Sequence, residues 1–90
     1  MKFEWDEAKS ALNIRKHGIA FEDAVRVFDD PRRIERYDNA NSWNEDRWVG
    51  IGMAYPHILF VIYAIKEHDT YRLISARKAN AREEREYRGL

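Results

Sequence analysis

The sequence contains no cysteine, two prolines, four glycines and only three scattered histidines. Without cysteine there are no disulfides and no thiolate metal sites, and the spacing of the histidines does not suit zinc. No apolar run approaches the ~20 residues of a transmembrane helix, and no apolar signal region follows Met1. These absences predict a cytoplasmic protein that has no contact with a membrane and needs neither a metal nor another cofactor.

An excess of charge of one sign is also missing. Sixteen Lys and Arg balance 16 Asp and Glu, which argues against a protein that coats nucleic acid by bulk electrostatics. The cations are nevertheless concentrated near the C-terminus, where residues 72–88 hold six cations and three acids. This segment is therefore the best place for an anion site, although a solvated, salt-bridged helix without a ligand explains the same charges.

Hydrophobic periodicity predicts a single α+β domain that covers residues 1–90. A short strand at Phe3–Trp5 precedes a helix that runs from the Asp6 cap to Lys16, with Gly18 in the left-handed position after it. A second helix carries the apolar stripe Phe21, Ala24, Val25 and Phe28. Four strands and a last helix follow, at residues from Arg33, Arg47–Tyr55, His57–Lys66, Thr70–Arg77 and Ala81–Arg88. We expect a mostly antiparallel sheet with the helices against one side.

The junction between the last strand and the last helix holds two adjacent cations, Arg77 and Lys78. Asn80 suits an N-cap, and Glu83 three residues later completes a capping-box pair. Cations beside the free N–H groups of a helix N-terminus can bind phosphate, and the planar fork of Arg77 fits its oxygens. The alternative is a salt bridge from Arg77 to one of the glutamates of the helix.

Glu45 and Arg47 form a second candidate group, at the entry to the third strand. Because they are two residues apart on a strand, they point to the same face. A carboxylate beside an arginine can orient or deprotonate a hydroxyl nucleophile, whereas an exposed ion pair is the simpler interpretation. Arg72 lies on the strand that leads to Arg77 but at the opposite parity, so only a bulge or twist would let both arginines contribute.

Three tryptophans and one histidine need separate interpretations. Trp43 and Trp48 flank a polar loop, where they can stack on a base or pack against a protein partner. Trp5 is expected in the core. His17 precedes Gly18, which favours a role at the end of the helix over acid–base chemistry.

Taken together, the fragments resemble the BrnT family of bacterial toxins, within the RelE-like ribonuclease superfamily. They occur in the family's order and cover nearly the whole chain: Phe3-Glu4-Trp5-Asp6, Asn13 with Lys16-His17-Gly18, Phe21-Glu22-Asp23-Ala24, Val27-Phe28-Asp29-Asp30-Pro31, Glu45-Asp46-Arg47, Ile74-Ser75-Ala76-Arg77-Lys78-Ala79, Glu83 and Tyr87. Many relatives carry a histidine in the loop before the Glu-x-Arg pair, whereas residues 38–44 contain none here.

This resemblance implies a RelE-like fold and a ribonuclease that arrests growth as the toxin of a type II toxin–antitoxin system. Its partner would be a BrnA-type antitoxin that dimerises and binds DNA, so that a heterotetramer represses the operon and the toxin meets operator DNA only through the antitoxin. The active face would be the sheet surface that the first two helices leave uncovered. Arg77, Glu45 and Arg47 match the family's Ser-Ala-Arg and Glu-x-Arg motifs.

A mechanism without a metal fits these residues. The RNA 2′-hydroxyl attacks the adjacent phosphate and yields a cyclic phosphate and a free 5′-hydroxyl. Arg77, aided by Lys78 or Arg47, stabilises the phosphorane charge, and Glu45 orients or deprotonates the nucleophile, while the proton donor is unassigned. Lys78, Arg72 and Trp43 are the expected substrate contacts. The alternative is a non-catalytic module whose basic C-terminal surface receives an acidic antitoxin segment or nucleic acid.

Overall fold

The computed structural model describes all 90 residues and confirms the α+β class. The helices are α1 (Glu7–His17), α2 (Phe21–Ala24) and α3 (Ala81–Arg88), and α2 continues as a 3-10 helix over Val25–Asp29. The strands are β1 (Lys2–Glu4), β2 (Ile34–Tyr37), β3 (Trp48–Ala54), β4 (His57–Lys66) and β5 (Thr70–Lys78). None of the helices is long and apolar enough to cross a membrane.

The five strands form one mixed sheet in the order β1-β5-β4-β3-β2. β1 pairs with β5 in parallel, and the other three pairings are antiparallel. β4 occupies the centre of the sheet, as its nearly continuous apolar sequence indicates, because a central strand is covered on both faces.

One face of the sheet, here called the α1 face, carries the main core. Phe21, Ala24, Val27 and Phe28 of α2 and the 3-10 helix pack with Leu59, Val61, Tyr63, Leu73 and Ala76 of the sheet. Gly52 permits the close approach, since a Cβ added there would lie 2.9 Å from Val27 Cγ1. The α1 face therefore closes by direct contact between the 3-10 helix and β3.

The opposite face, here called the α3 face, has a smaller core of Val49, Ile51 and Ile58. Tyr87 of α3 and the neighbouring Ala79 pack against it. The expectation that all helices lie on one side is therefore wrong for α3. The physical reason is that β3 and β4 present apolar side chains on both faces, and the second set must also be covered.

A bulge in β5 decides which residues share a face. In the β4–β5 ladder Ile62 pairs with Ser75, whereas the next residue, Tyr63, pairs with Leu73, so that Ile74 is the extra residue. Side chains of a regular strand alternate, and one extra residue shifts that alternation. Arg72 and Arg77 consequently both lie on the α3 face.

The predicted caps are present. Asp6 accepts the Lys9 N–H at 3.1 Å, and Gly18 is left-handed with φ of 72°. Asn80 and Glu83 form the reciprocal capping box of α3. These local signals explain why both long helices begin where the sequence predicts, because each cap satisfies backbone groups that the first turn leaves without a partner.

Candidate active site

A carboxylate surrounded by cations lies on the α3 face, and we call Glu45, Arg47, Lys66 and Arg72 the Glu45 cluster. Glu45 Oε2 accepts from Lys66 Nζ at 2.8 Å, and Oε1 accepts from Arg72 Nη2 at 2.5 Å. The Arg47 Nε atom is 3.9 Å from Oε1. The loop before β3 supplies Glu45 and Arg47, the end of β4 supplies Lys66, and the start of β5 supplies Arg72.

The electrostatics of this cluster favour an ionised carboxylate and a bound anion. The hydrogen bond from Lys66, together with the charge of Arg72, holds the pKa of Glu45 below its usual value. Three cations surround one anion, and each side chain keeps between 26% and 38% of its surface exposed. The cluster therefore presents an excess of positive charge that a phosphate can reach.

Lys66 is the member of the cluster that sequence reasoning missed. Its signal was weak, because a lysine at the end of an apolar run is also the usual end of a buried strand. The alternation of side chains along β4 could have indicated it, because Lys66 lies on the same face as Phe60 and Ile62.

Arg77 lies farther along the α3 face and has a carboxylate partner of its own. Its Nη1 and Nη2 donate to the two oxygens of Glu83, both at 2.8 Å, and Nη1 also donates to the Lys78 carbonyl. The guanidinium lies 4.1 Å from the ring centroid of Phe60. The salt bridge to the helix, weighed as the alternative for Arg77, is present. Its hydrogen bonds raise the pKa of Arg77 and lower that of Glu83.

The N-terminus of α3 is less open to a phosphate than its sequence indicated. Glu83 Oε1 accepts from the Asn80 N–H at 2.9 Å, and Asn80 Oδ1 accepts from the Glu83 N–H at 2.8 Å. Glu83 thus supplies the negative charge expected of a ligand. Arg77 still has its Nε–H and one Nη2 proton without a protein acceptor, on the side of the fork away from Glu83.

The structure does not bring all the predicted residues together. Arg77 and Arg72 are separated by roughly 13 Å along β5, which is four residues at ~3.3 Å each once the bulge residue is left out. Lys78 pairs with Leu59, whose side chain is on the α1 face, so Lys78 and Arg77 point to opposite faces. Lys78 instead lines a depression of about 220 Å³ beside His57.

Comparison with known proteins identifies the family. A sequence model of the family described as ribonuclease toxin, BrnT, of type II toxin–antitoxin systems matches residues 5–83. The chain belongs to the BrnT family. This match confirms the resemblance inferred from the sequence fragments, and it makes the chain a ribonuclease toxin by family.

A solved BrnT structure has the same fold. The crystal structure of the Brucella abortus ribonuclease toxin BrnT, at 1.1 Å resolution, superposes with a TM-score of 0.68 and 30% sequence identity. The match covers 89% of this chain and 97% of that one. A search of curated proteins gives no significant match.

Several residues of the BrnT fragments have structural contacts. Asp30 accepts from the N–H groups of Arg32 and Met53 at 2.9 and 2.8 Å, and from Tyr87 Oη at 2.5 Å. Asp30 thereby joins the end of the 3-10 helix to β3 and α3. This role was not evident from the sequence, in which the Asp-Pro pair predicts only the end of a helix.

The three tryptophans comprise one exposed side chain and two packed ones. Trp43, in the loop before the Glu45 cluster, is 82% exposed. Trp48 packs against the α1-face core and makes an edge contact with Tyr37, and Trp5 makes one with Phe21. Trp43 is thus the tryptophan that is free to stack on a base, and His17 lies in the last turn of α1, outside the cluster.

No group of three His, Asp or Glu side chains comes close enough together to hold a metal ion. Hydrogen bonds of Ser42 hold the backbone of the loop over residues 38–44. The Ser42 Oγ donates to the Asp38 carbonyl at 2.5 Å and accepts from the Arg47 N–H at 2.9 Å. Ser42 therefore fixes the backbone of Arg47 in the Glu45 cluster.

Proposed function

We propose that this BrnT chain cleaves RNA without a metal ion, at the Glu45 cluster. The observation that carries the proposal is a carboxylate held between Lys66 and Arg72, with Arg47 beside it, on the accessible α3 face. The cations suit a phosphate whose charge increases in the transition state, and the carboxylate suits a hydroxyl nucleophile. Among the ion pairs of the protein, Glu45 is the carboxylate with three cations within 4.0 Å.

In the proposed reaction the 2′-oxygen attacks phosphorus while the bond from phosphorus to the 5′-oxygen breaks. Arg47 and Arg72 stabilise the phosphorane charge. Glu45 orients the 2′-hydroxyl and accepts its proton as the new phosphorus–oxygen bond forms, although its lowered pKa makes it a weak base at neutral pH. Lys66 is the cation of the cluster that can give a proton to the leaving 5′-oxygen, since arginine stays protonated. After Lys66 has protonated the leaving group, Glu45 returns the proton it accepted to Lys66 across their 2.8 Å hydrogen bond.

Arg77 serves in this proposal as a second phosphate contact of the same RNA strand. It shares the α3 face with the Glu45 cluster, and its unoccupied Nε–H and Nη2–H form a planar fork. Trp43 supplies an exposed aromatic surface for a base. The sequence predicted one centre with Arg77, Glu45 and Arg47; the separation along β5 favours two contacts with distinct roles.

The partner in this proposal is a BrnA-type antitoxin that dimerises and forms a heterotetramer with two toxin chains. The toxin reaches operator DNA only through the antitoxin, which agrees with its zero net charge and the absence of a helix-turn-helix. We place the system in the cytoplasm. A RelE-like relationship is supported by the two helices that precede a meander of four strands.

A cleavage assay with matched variants tests the proposal. Purified protein is incubated with end-labelled RNA in EDTA, and the products are analysed for a 2′,3′-cyclic phosphate and a 5′-hydroxyl. Glu45→Gln and Arg72→Ala are expected to lower the rate about 100-fold, as for the loss of one transition-state contact. Glu35→Gln is the control, because Glu35 also pairs with an arginine at similar exposure but on the α1 face.

Two outcomes contradict the proposal. Cleavage that stops in EDTA and returns with a divalent cation contradicts metal independence. Equal activity of Glu45→Gln and Glu35→Gln removes the Glu45 cluster from the reaction.

A non-catalytic binding module is the second candidate, and the ion pairs favour it. Glu45 and Glu83 are both engaged by arginines, and no histidine joins either group. This candidate predicts intact RNA that shifts in a native gel. A shift without cleavage under conditions that keep the protein folded would select it.

A further inference from the structure

A small groove lies between α1 and the outer edge of β5, away from the Glu45 cluster. Its volume is about 230 Å³, and its lining includes Lys9, Leu12, Lys16 and His17 of α1 with Ile74 and Ser75 of β5. Lys9, Leu12 and Lys16 fall at positions i, i+3 and i+7, so they follow one side of the helix. Ile74 is the bulge residue of β5. The groove is therefore built from one helical stripe and the irregular part of the edge.

This edge of β5 is open because β1 is short. β1 pairs only with Thr70–Arg72, and beyond that point no strand covers β5. Asn13 supplies the missing partners at Ala76: its Nδ2 donates to the Ala76 carbonyl at 2.8 Å, and its Oδ1 accepts from the Ala76 N–H at 3.0 Å. A partner cannot add a strand here, since these backbone groups are taken. It must bind through side chains.

The groove is both basic and apolar. Leu12 is 45% exposed, and no acidic side chain lines the groove. The seven ion pairs of the molecule use none of Lys9, Lys16 and His17, although they engage most of the arginines of the sheet. Cations without partners beside an exposed leucine are complementary to a segment that carries both acidic and apolar side chains.

We propose that this groove docks an acidic segment of the antitoxin, with an apolar side chain against Leu12 and Ile74 and carboxylates against Lys9 and Lys16. The proposal rests on membership of a type II toxin–antitoxin family and not on the ribonuclease centre. A stable interface buries roughly 800 Å² on each partner, so the groove is one anchor within a larger contact. A buried apolar anchor slows dissociation, and the cations guide association.

Four substitutions on α1 form two matched pairs for a titration. Leu12→Ser is compared with Ile14→Ser, because both side chains are almost equally exposed, at 45% and 47%, on different sides of the helix. Lys16→Glu is compared with Arg15→Glu, which makes the same change of net charge outside the groove. The probe is the purified antitoxin encoded beside this toxin, measured by calorimetry.

We expect Leu12→Ser and Lys16→Glu each to weaken antitoxin binding at least tenfold, the size of a moderate hot spot at ~1.4 kcal/mol. Ile14→Ser and Arg15→Glu are expected to stay within about twofold of the wild type. RNA cleavage by free toxin should be unchanged in all four variants, so failure of the ribonuclease proposal is visible separately. Circular dichroism and thermal unfolding check that each variant is folded.

Several results would overturn the proposal. One is an equal effect of both members of each pair, and another is the absence of any binding between wild-type toxin and the antitoxin. Loss of RNA affinity in Lys16→Glu with normal antitoxin binding would assign the groove to nucleic acid. A concentration-dependent dimer that Leu12→Ser abolishes, with unchanged antitoxin affinity, would assign it to a second copy of the chain.

Discussion

At the scale of the residue, the contacts of Arg77 determine its role. Glu83 accepts hydrogen bonds from Nη1 and Nη2 of Arg77, and the Lys78 carbonyl accepts a second hydrogen bond from Nη1. The ring of Phe60 lies against the guanidinium. A side chain held in this way loses little conformational entropy when it binds a phosphate. Because the same bonds fix its direction, the open side of the Arg77 guanidinium can be reached by an anion from the α3 face only.

Arg77→Ala is expected to raise KM for RNA about tenfold or more, with a smaller change of kcat. One charge-assisted hydrogen bond contributes roughly 1.5–3 kcal/mol to binding when it is lost. Steady-state kinetics on a short RNA provide the measurement, and Arg15→Ala on the far side of α1 is the control. A variant with normal KM and no turnover would move Arg77 into the reaction centre.

Growth assays and antitoxin binding extend this test. Arg77→Ala should relieve growth arrest while the complex with the antitoxin still forms. Arg77→Lys should restore little, because an ammonium cannot make the two parallel bonds to Glu83. Full toxicity of Arg77→Ala would contradict a role of this residue in RNA contact.

Glu83 is expected to make stability depend on acid pH. Its folded-state pKa is depressed by Arg77, whereas an unfolded glutamate titrates near ~4.3. The stabilisation is therefore present above that value and is lost as pH falls through the lower, folded-state pKa. Glu83→Gln should lower the free energy of unfolding by about 2 kcal/mol at pH 7 through the lost ion pair with Arg77, because glutamine keeps an oxygen that can accept from the Asn80 N–H.

Urea unfolding at several pH values measures this effect. The difference between wild type and Glu83→Gln should shrink as pH falls below about 4. Glu84→Gln, the next residue of the same helical turn, has no ion-pair partner and should change stability by less than about 0.5 kcal/mol. A difference that grows in acid would contradict the assigned sign.

At the scale of the element, Asn13 joins α1 to β5. Its side chain bonds both backbone groups of Ala76 and also donates to the Ile19 carbonyl at 2.7 Å. It is buried, so water does not compete for these groups. The Asn13 side chain thereby takes the place of a neighbouring strand at Ala76, one residue before Arg77. Through the Ile19 carbonyl it also holds the connection between α1 and α2.

Asn13→Ala should destabilise the protein by about 3 kcal/mol. Three buried backbone groups lose their hydrogen-bond partners, each at a cost of ~1–3 kcal/mol, and water that enters the site recovers part of this loss. Chemical denaturation gives the value, and hydrogen exchange should show faster exchange at Ala76 than at Val61 in β4. Asn44→Ala, an exposed asparagine, is the control. A cost below about 1 kcal/mol would mean that the edge of β5 is held by other contacts.

At the scale of the whole molecule, the two faces of the sheet differ: one carries the main core and the other carries the candidate site. The α1 face is filled by the main core, and the accessible cations of the Glu45 cluster and Arg77 are on the α3 face. Because the net charge is zero, we expect RNA binding to depend on a few local contacts and not on the field of the whole protein.

The salt dependence of RNA binding should reflect these few contacts. For single strands, log K changes with log salt by roughly −0.7 for each phosphate that a protein neutralises. Two phosphate contacts predict a slope of about −1.4, measured with an RNA whose scissile 2′-hydroxyl is replaced by hydrogen. Arg77→Ala should make the slope less negative by about 0.7, and a slope steeper than about −4 would contradict two local contacts.

The sequence by itself determined the order of the helices and strands and the residues at which α1 and α3 begin. Asp6, Gly18 and Asn80 act through backbone groups within a few residues, and the apolar run of β4 requires burial on both faces, so local chemistry was sufficient. The fragment order was sufficient for the family. The Glu45–Arg47 contact was predicted, but from the parity of a strand that begins only at Trp48; in the structure the two residues meet in the loop before β3.

Only the tertiary structure decided which charges meet. Lys66 and Arg72 join Glu45 from two other strands, and the bulge at Ile74 turns Arg72 to the face of Arg77. Glu83 takes the position at Arg77 that the sequence offered to a phosphate, while Lys78 points to the opposite face. Ladder register and bulges depend on contacts between residues far apart in the chain, and a strand pattern read along the sequence does not contain them.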